Sequence, residues 1–90
     1  MRDIVDLHIE LETATGDHIT LKNLRLLLAY WHAIVMTESV TKTELAYAME
    51  AALMRTPSFS EIAEHFIIEY TRKKDEMLEF IDSFLRDVNR

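Results

Sequence analysis

The stretch SFSEIAEHFIIEYTRKKDEMLEFIDSFLRDV, residues 58–88, decides the predicted fold. At 100° per residue, all of its apolar side chains except Ile68 fall within one arc that covers less than half of a helix circumference. They are Phe59, Ile62, Ala63, Phe66, Ile67, Tyr70, Met77, Leu78, Phe80, Ile81, Phe84, Leu85 and Val88. The phase persists across the polar run 71–76, which predicts one amphipathic helix from about Phe59 to Val88. A second helix with Asp75 as a new N-cap is the alternative.

The length of this predicted helix indicates a partner. About 30 residues span about 45 Å, whereas a compact chain of this size has a diameter of only about 30 Å. The far end of the helix would then extend beyond its own domain and expose apolar side chains, which usually marks an interface. The predicted interface, most simply between two copies, consists of Met77, Leu78, Phe80, Ile81, Phe84 and Leu85.

The segment from Leu21 to about Met36 is apolar at nearly every position, which is typical of a buried central helix. It is shorter than the about 20 apolar residues that a bilayer requires. Arg25 and His32 form its only polar strip. One interpretation is that these two residues face the acidic N-terminal segment or a ligand cavity. We favour the simpler interpretation that Arg25 reaches solvent and that His32 makes one hydrogen bond.

A third helix is predicted between a connection at residues 37–40 and Pro57. Thr41 and Glu44 match a capping box at its start, and Ser58 and Glu61 match another at the start of the last helix. The main apolar stripe of the third helix is Leu45, Ala48, Met49, Ala52 and Leu53. Its opposite side carries Tyr47, Ala51 and Met54, which, with Ile68 on the polar face of the last helix, form a second candidate partner surface.

Residues 3–21 permit two interpretations. Apolar and polar residues alternate from Val5 to Glu12, which is the pattern of a strand that Gly16 and Asp17 would turn into a β-hairpin. The same residues fit a helix with Asp3 as N-cap and Gly16 as a left-handed C-cap. We favour the helix because Leu and Glu are better helix formers than strand formers. The predicted fold is therefore all-α, with about four helices, and α+β is the alternative.

Composition limits the class of protein. The 90 residues are 49% apolar with one Gly and one Pro, which predicts a single helical domain over residues 1–90. The net charge of −6 disfavours general binding to nucleic acid or to an anionic membrane. No cysteine and no cleavable signal are evident, so the expected location is cytoplasmic.

Few residues suggest chemistry. Glu61, His65 and Glu69 share one helix face, but they lack the paired Glu-x-x-His motifs of carboxylate-bridged bundle sites, so no metal or other cofactor is expected. No catalytic triad, phosphate loop or CxxC pair is present. The sequence predicts a non-enzymatic protein-protein interaction module that is a homodimer and acts as a regulator, inhibitor or chaperone-like adaptor. The alternative is a helix-turn-helix DNA-binding regulator, because helical segments near 21–36, 42–55 and 59–70 have roughly the lengths and spacing of such a domain.

Overall fold

The computed structural model describes residues 3–36 and 41–89, and within these ranges it contains five α-helices and no strand. The helices are α1 Ile4–Thr15, α2 Leu21–Met36, α3 Lys42–Met54, α4 Thr56–Arg72 and α5 Lys74–Val88. The all-α prediction is confirmed, but the expected number of about four helices is not. The predicted connection at residues 37–40 lies outside the described residues.

The N-terminal segment forms helix α1, as favoured, and the β-hairpin alternative is not confirmed. The Asp3 carboxylate accepts a hydrogen bond from the Asp6 backbone N–H at 3.0 Å, which caps the first turn. Gly16 has φ 73°, and its N–H donates to the Glu12 carbonyl at 2.9 Å. A side chain at this left-handed position would be strained, which explains why α1 ends at a glycine.

Helix α2 has the predicted bounds and lies against every other helix of the C-terminal half. Its buried residues are Leu24, Leu27, Leu28, Ala29, Trp31 and Ala33. The Trp31 ring meets the Phe66 ring of α4 edge to face, with centroids 5.3 Å apart. The last turn differs from the prediction of an entirely buried helix, because Ile34, Val35 and Met36 are exposed.

Helices α3 and α4 follow each other with only Arg55 between them. The capping box of Thr41 and Glu44 is confirmed, since each side chain bonds to the backbone N–H of the other residue. The capping box predicted at Ser58 is wrong, because α4 already begins at Thr56 and Ser58 lies inside it. Pro57 occupies the first turn, where its missing N–H costs nothing and its fixed φ favours helix.

The predicted rod from Phe59 to Val88 is wrong, because the chain bends at Lys73. This residue has φ −128° and ψ 50°, and it ends α4 and precedes α5 without a side-chain cap on the new helix. The break therefore falls before Asp75, which the sequence offered as an alternative N-cap. The described chain measures 32 × 31 × 23 Å, which leaves no room for a straight helix of about 45 Å.

Because of the bend, the side chains of the predicted dimer interface pack into the core of their own chain. Met77, Ile81 and Leu85 are buried, and the remaining members, Leu78, Phe80 and Phe84, are partly buried against the same core. Full burial of such a side chain stabilises the fold by about 1.5–3 kcal/mol. Each backbone hydrogen bond lost at a break costs only about 0.5–1.5 kcal/mol net. Packing inside one copy therefore outweighs helix continuity, and the overhang expected from the sequence does not exist.

Candidate functional site

The second candidate partner surface, on the outer side of α3 and at Ile68, is exposed to solvent. Tyr47 is 72% exposed and Met54 is 77% exposed, and Ala51 between them is exposed as well. Positions i, i+4 and i+7 lie on one helix face, so these side chains form a stripe. Ile68, which the sequence placed on the polar side of the last helix, is 48% exposed on α4.

A groove of about 560 Å³ lies between the end of α2 and the outer side of α4. It is lined by His32, Met36, Glu61, Ile62, Glu64, His65 and Ile68. Five of these seven residues are exposed, His32 is half-buried, and Ile62 is buried at the base. Small-molecule sites usually enclose most of their ligand, so this open groove has the form of a site for a macromolecular surface.

A second depression of about 240 Å³ joins the groove to α3. It shares His32, Met36 and Ile62 with the groove, so the two form one continuous surface. On the side of α3 it is lined by Ala48, Ala51 and Ala52, and by Arg55 just after the helix. The small alanine side chains create the depression, because they leave space that larger residues would fill. We call the residues lining both depressions, together with Tyr47 and Met54, the α2–α3–α4 surface.

The charges on this surface are uneven. Glu61 and Glu64 line the groove from α4, while Arg55 is the only Lys or Arg among the described residues that line the two depressions. Neither glutamate carboxylate makes a hydrogen bond or an ion pair with another described residue. Glu12, Glu44 and Glu69 differ, since each bonds a backbone N–H or a cationic side chain. The two groove carboxylates are therefore available to a partner.

His32 occupies a special position in the groove. Partial burial lowers the pKa of its imidazole below the ordinary value, and the nearby charge of His65 lowers this pKa further. Its companion in the predicted polar strip, Arg25, does not line the groove. The Arg25 guanidinium instead donates to the Leu53 carbonyl at 3.1 Å and lies 5.1 Å from the centre of the Phe59 ring. The predicted strip therefore divides into a groove residue and a helix-capping residue.

Other candidate chemistry is sparse in the described part of the chain. No group of three or more His, Asp or Glu side chains within residues 3–36 and 41–89 is arranged to hold a metal ion. Three consecutive basic residues, Arg72, Lys73 and Lys74, lie at the α4–α5 junction. Their charge is partly neutralised, because the Arg72 and Lys73 side chains lie 3.3 and 3.9 Å from the Glu69 carboxylate. Within the described residues, no helix is long and apolar enough to cross a membrane.

Sequence reasoning identified only part of the α2–α3–α4 surface. It found the α3 stripe and Ile68, but it placed Met36 in the buried core because Met36 belongs to the nearly continuous apolar run that begins at Leu21. The available signal was the position of Met36 at the end of the apolar run, where a helix leaves the core. Comparisons with protein-family models, curated proteins and solved structures found no match for this chain.

Proposed function

We propose that this chain is a non-enzymatic protein-interaction module that binds another protein through the α2–α3–α4 surface. The observation that supports the proposal is the continuity of exposed apolar side chains across three helices. Met36 and Ile68 line the groove, and Ala51 of the second depression belongs to the same α3 stripe as Tyr47 and Met54. The four larger side chains are between 48% and 77% exposed. Solitary apolar residues on a surface need no explanation, but a contiguous patch around a groove usually marks an interface.

Photo-crosslinking tests the proposal directly. A photoreactive phenylalanine replaces Tyr47 in the full chain, and a matched chain carries the same group in place of Ile9, which is 59% exposed on α1. In extracts of the native cells, we expect position 47 to crosslink to a defined protein and position 9 to give no such product. Equal crosslinking from the two positions, or none from position 47, would contradict the proposed surface.

Binding to the purified crosslinked protein then provides an affinity. Met54→Glu places a charge within the apolar stripe, so we expect its Kd to rise by about tenfold or more, as for a residue at the centre of an interface. Ile9→Glu adds the same charge and removes a similarly exposed apolar side chain on α1, and its Kd should remain at the unmodified value. Circular dichroism of both variants checks that each keeps its helices.

Homodimer formation, expected from the sequence, stays a prediction, but it has lost the argument from an overhanging helix. If a second copy binds, we expect it to use the α2–α3–α4 surface, because Met77 is buried and Phe80 and Phe84 are partly buried in the core of their own chain. Light scattering at micromolar concentration tests this, and a dimer would dissociate in Met54→Glu but persist in Ile9→Glu. A monomeric unmodified chain would exclude the second copy and leave a different protein as the partner.

DNA binding is the weaker candidate. The order of α2, α3 and α4 suits a helix-turn-helix domain, but that motif places a turn of about 3–4 residues between its helices, and here only Arg55 separates α3 from α4. The exposed Glu61 and Glu64 would also face phosphates on the candidate recognition helix. Salt-sensitive binding to random duplex DNA in the micromolar range would favour this alternative over a protein-interaction module.

A further inference from the structure

We infer that the partner segment on the α2–α3–α4 surface is a cationic amphipathic helix of another protein. This inference rests on the proposed function and adds the chemistry of the partner. It depends on two independent features of the surface, namely its apolar groove and the carboxylates beside it.

The shape of the surface suits a helix. An amphipathic helix binds a groove by inserting apolar side chains spaced at i, i+3, i+4 and i+7. Here Ile62 lies at the base of both depressions, Met36 lies on the α2 side and Ile68 on the α4 side. The second depression continues the groove to the alanines of α3, so an elongated segment can contact all three helices.

The charge of the surface selects a cationic partner. Glu61 and Glu64 line the groove, and neither carboxylate is paired with another described residue. An incoming Lys or Arg would therefore gain an ion pair without breaking one that exists in the free protein. Complementary charges around an apolar contact mainly determine which partner is accepted and how fast it associates. The net charge of −6 on the chain favours the same choice.

The same carboxylates disfavour other occupants. A second copy carries the same Glu61 and Glu64 against the single Arg55, so symmetric pairing through one shared surface would bring together more like charges than opposite ones. Nucleic acid and anionic lipid would meet the same repulsion. A cationic helix of a different protein is the occupant that satisfies both the apolar groove and the unpaired carboxylates.

Synthetic peptides of about 16 residues, which span about 24 Å as helices, serve as probes. The first has a Leu face and a Lys face, the second has Glu in place of every Lys, and the third scrambles the first so that no apolar face forms. Fluorescence anisotropy measures the Kd of each with the full chain. We expect the Lys peptide to bind about tenfold more tightly than the Glu peptide and more tightly than the scrambled peptide.

Paired variants locate this preference. Glu61→Gln with Glu64→Gln should remove most of the difference between the Lys and Glu peptides. Glu76→Gln with Glu79→Gln has the same spacing and the same change of charge on exposed positions of α5, and it should leave the difference intact. Ile68→Ser removes an apolar side chain of the groove without adding charge, so it should weaken binding of the Lys peptide, whereas Ile9→Ser on α1 should leave it unchanged.

Several outcomes would overturn the inference. These are equal Kd values for the Lys and Glu peptides, no binding of the Lys peptide, or the same response in both pairs of Gln variants. A dimer in light scattering that Met54→Glu dissociates would identify a second copy as the occupant instead. The crosslinking comparison of positions 47 and 9 is independent of peptide charge, so the proposed function can stand when the cationic partner is rejected.

Discussion

The Tyr30 ring of α2 stacks on the Phe80 ring of α5, with centroids 5.8 Å apart and ring planes at 15°. Phe84, one turn further along α5, also approaches Tyr30, with a centroid distance of 5.8 Å and an angle of 41°. The aromatic residues that the sequence assigned to a dimer interface therefore contact the central helix of the same chain. Their substitution should act on folding rather than on self-association.

Replacement of Phe80 by Ala tests this assignment. We expect it to lower the free energy of unfolding by about 2 kcal/mol, below the about 3–5 kcal/mol for a fully buried Phe because Phe80 is only partly buried. The melting temperature should fall by about 8–16 °C. Val88→Ala, at a 37% exposed position of α5, should change stability by less than about 0.5 kcal/mol. A melting temperature that rises with protein concentration would restore a role in dimerisation.

Replacement of Arg25 by Met tests its capping of α3. Leu53 lies in the last turn of α3, where carbonyl groups have no partner within the helix. Loss of the guanidinium removes this hydrogen bond and the contact with Phe59, so we expect a loss of about 1 kcal/mol and a melting temperature lower by about 4–8 °C. Lys22→Met at an exposed position of α2 is the control. Equal melting temperatures for the two variants would show that the Arg25 contacts contribute nothing measurable.

Glu12 should make the stability of the fold depend on acidic pH. Its carboxylate accepts a hydrogen bond from the Ile19 N–H at 2.9 Å, which is the main cause of its lowered pKa, and it lies 2.8 Å from Nδ1 of His18. Because the folded state favours the charged form of Glu12, the ionised carboxylate stabilises the fold at neutral pH. This stabilisation is lost as the pH falls below about 4.5, the ordinary value of the pKa.

Thermal unfolding of Glu12→Gln at pH 7 and pH 3 measures this contribution. We expect the variant to melt below the unmodified chain at pH 7 and the difference between the two melting temperatures to be smaller at pH 3. Glu79→Gln on the surface of α5 controls for the general loss of one negative charge. A difference between Glu12→Gln and the unmodified chain that is as large at pH 3 as at pH 7 would show that the effect is not carried by the ionised carboxylate.

His32 should make the stability of the fold depend on pH in a higher range than Glu12 does. Its pKa is lowered in the fold, so the unfolded chain takes up a proton at a pH where the folded chain does not. Stability is therefore full above about pH 6.5 and decreases as the pH falls below it. Urea unfolding of His32→Gln between pH 7 and pH 5 should show a flatter dependence than the unmodified chain. His65→Gln should reduce the dependence less, because burial of His32 is the larger cause.

Local chemistry explains which parts of this fold were predictable. The ends of α1 depend on Asp3 and Gly16, and the start of α3 depends on Thr41 and Glu44, all within a few residues of the helix concerned. The apolar run from Leu21 to Met36 likewise predicted the bounds of α2. The exposed α3 stripe of Tyr47, Ala51 and Met54 was visible in the sequence because side-chain periodicity shows which residues share a face.

The sequence by itself determined that the chain is helical, where α1, α2 and α3 begin or end, and that its surface is acidic. Only the tertiary structure decided that the C-terminal third bends at Lys73 and that Met36 emerges beside Ile62 to form a groove. Periodicity shows which side chains face inward, but it does not show whether one helix or two present them. That choice depends on burying Phe80 and its neighbours against Tyr30, a gain between residues far apart in the chain that exceeds the local cost of interrupting a helix.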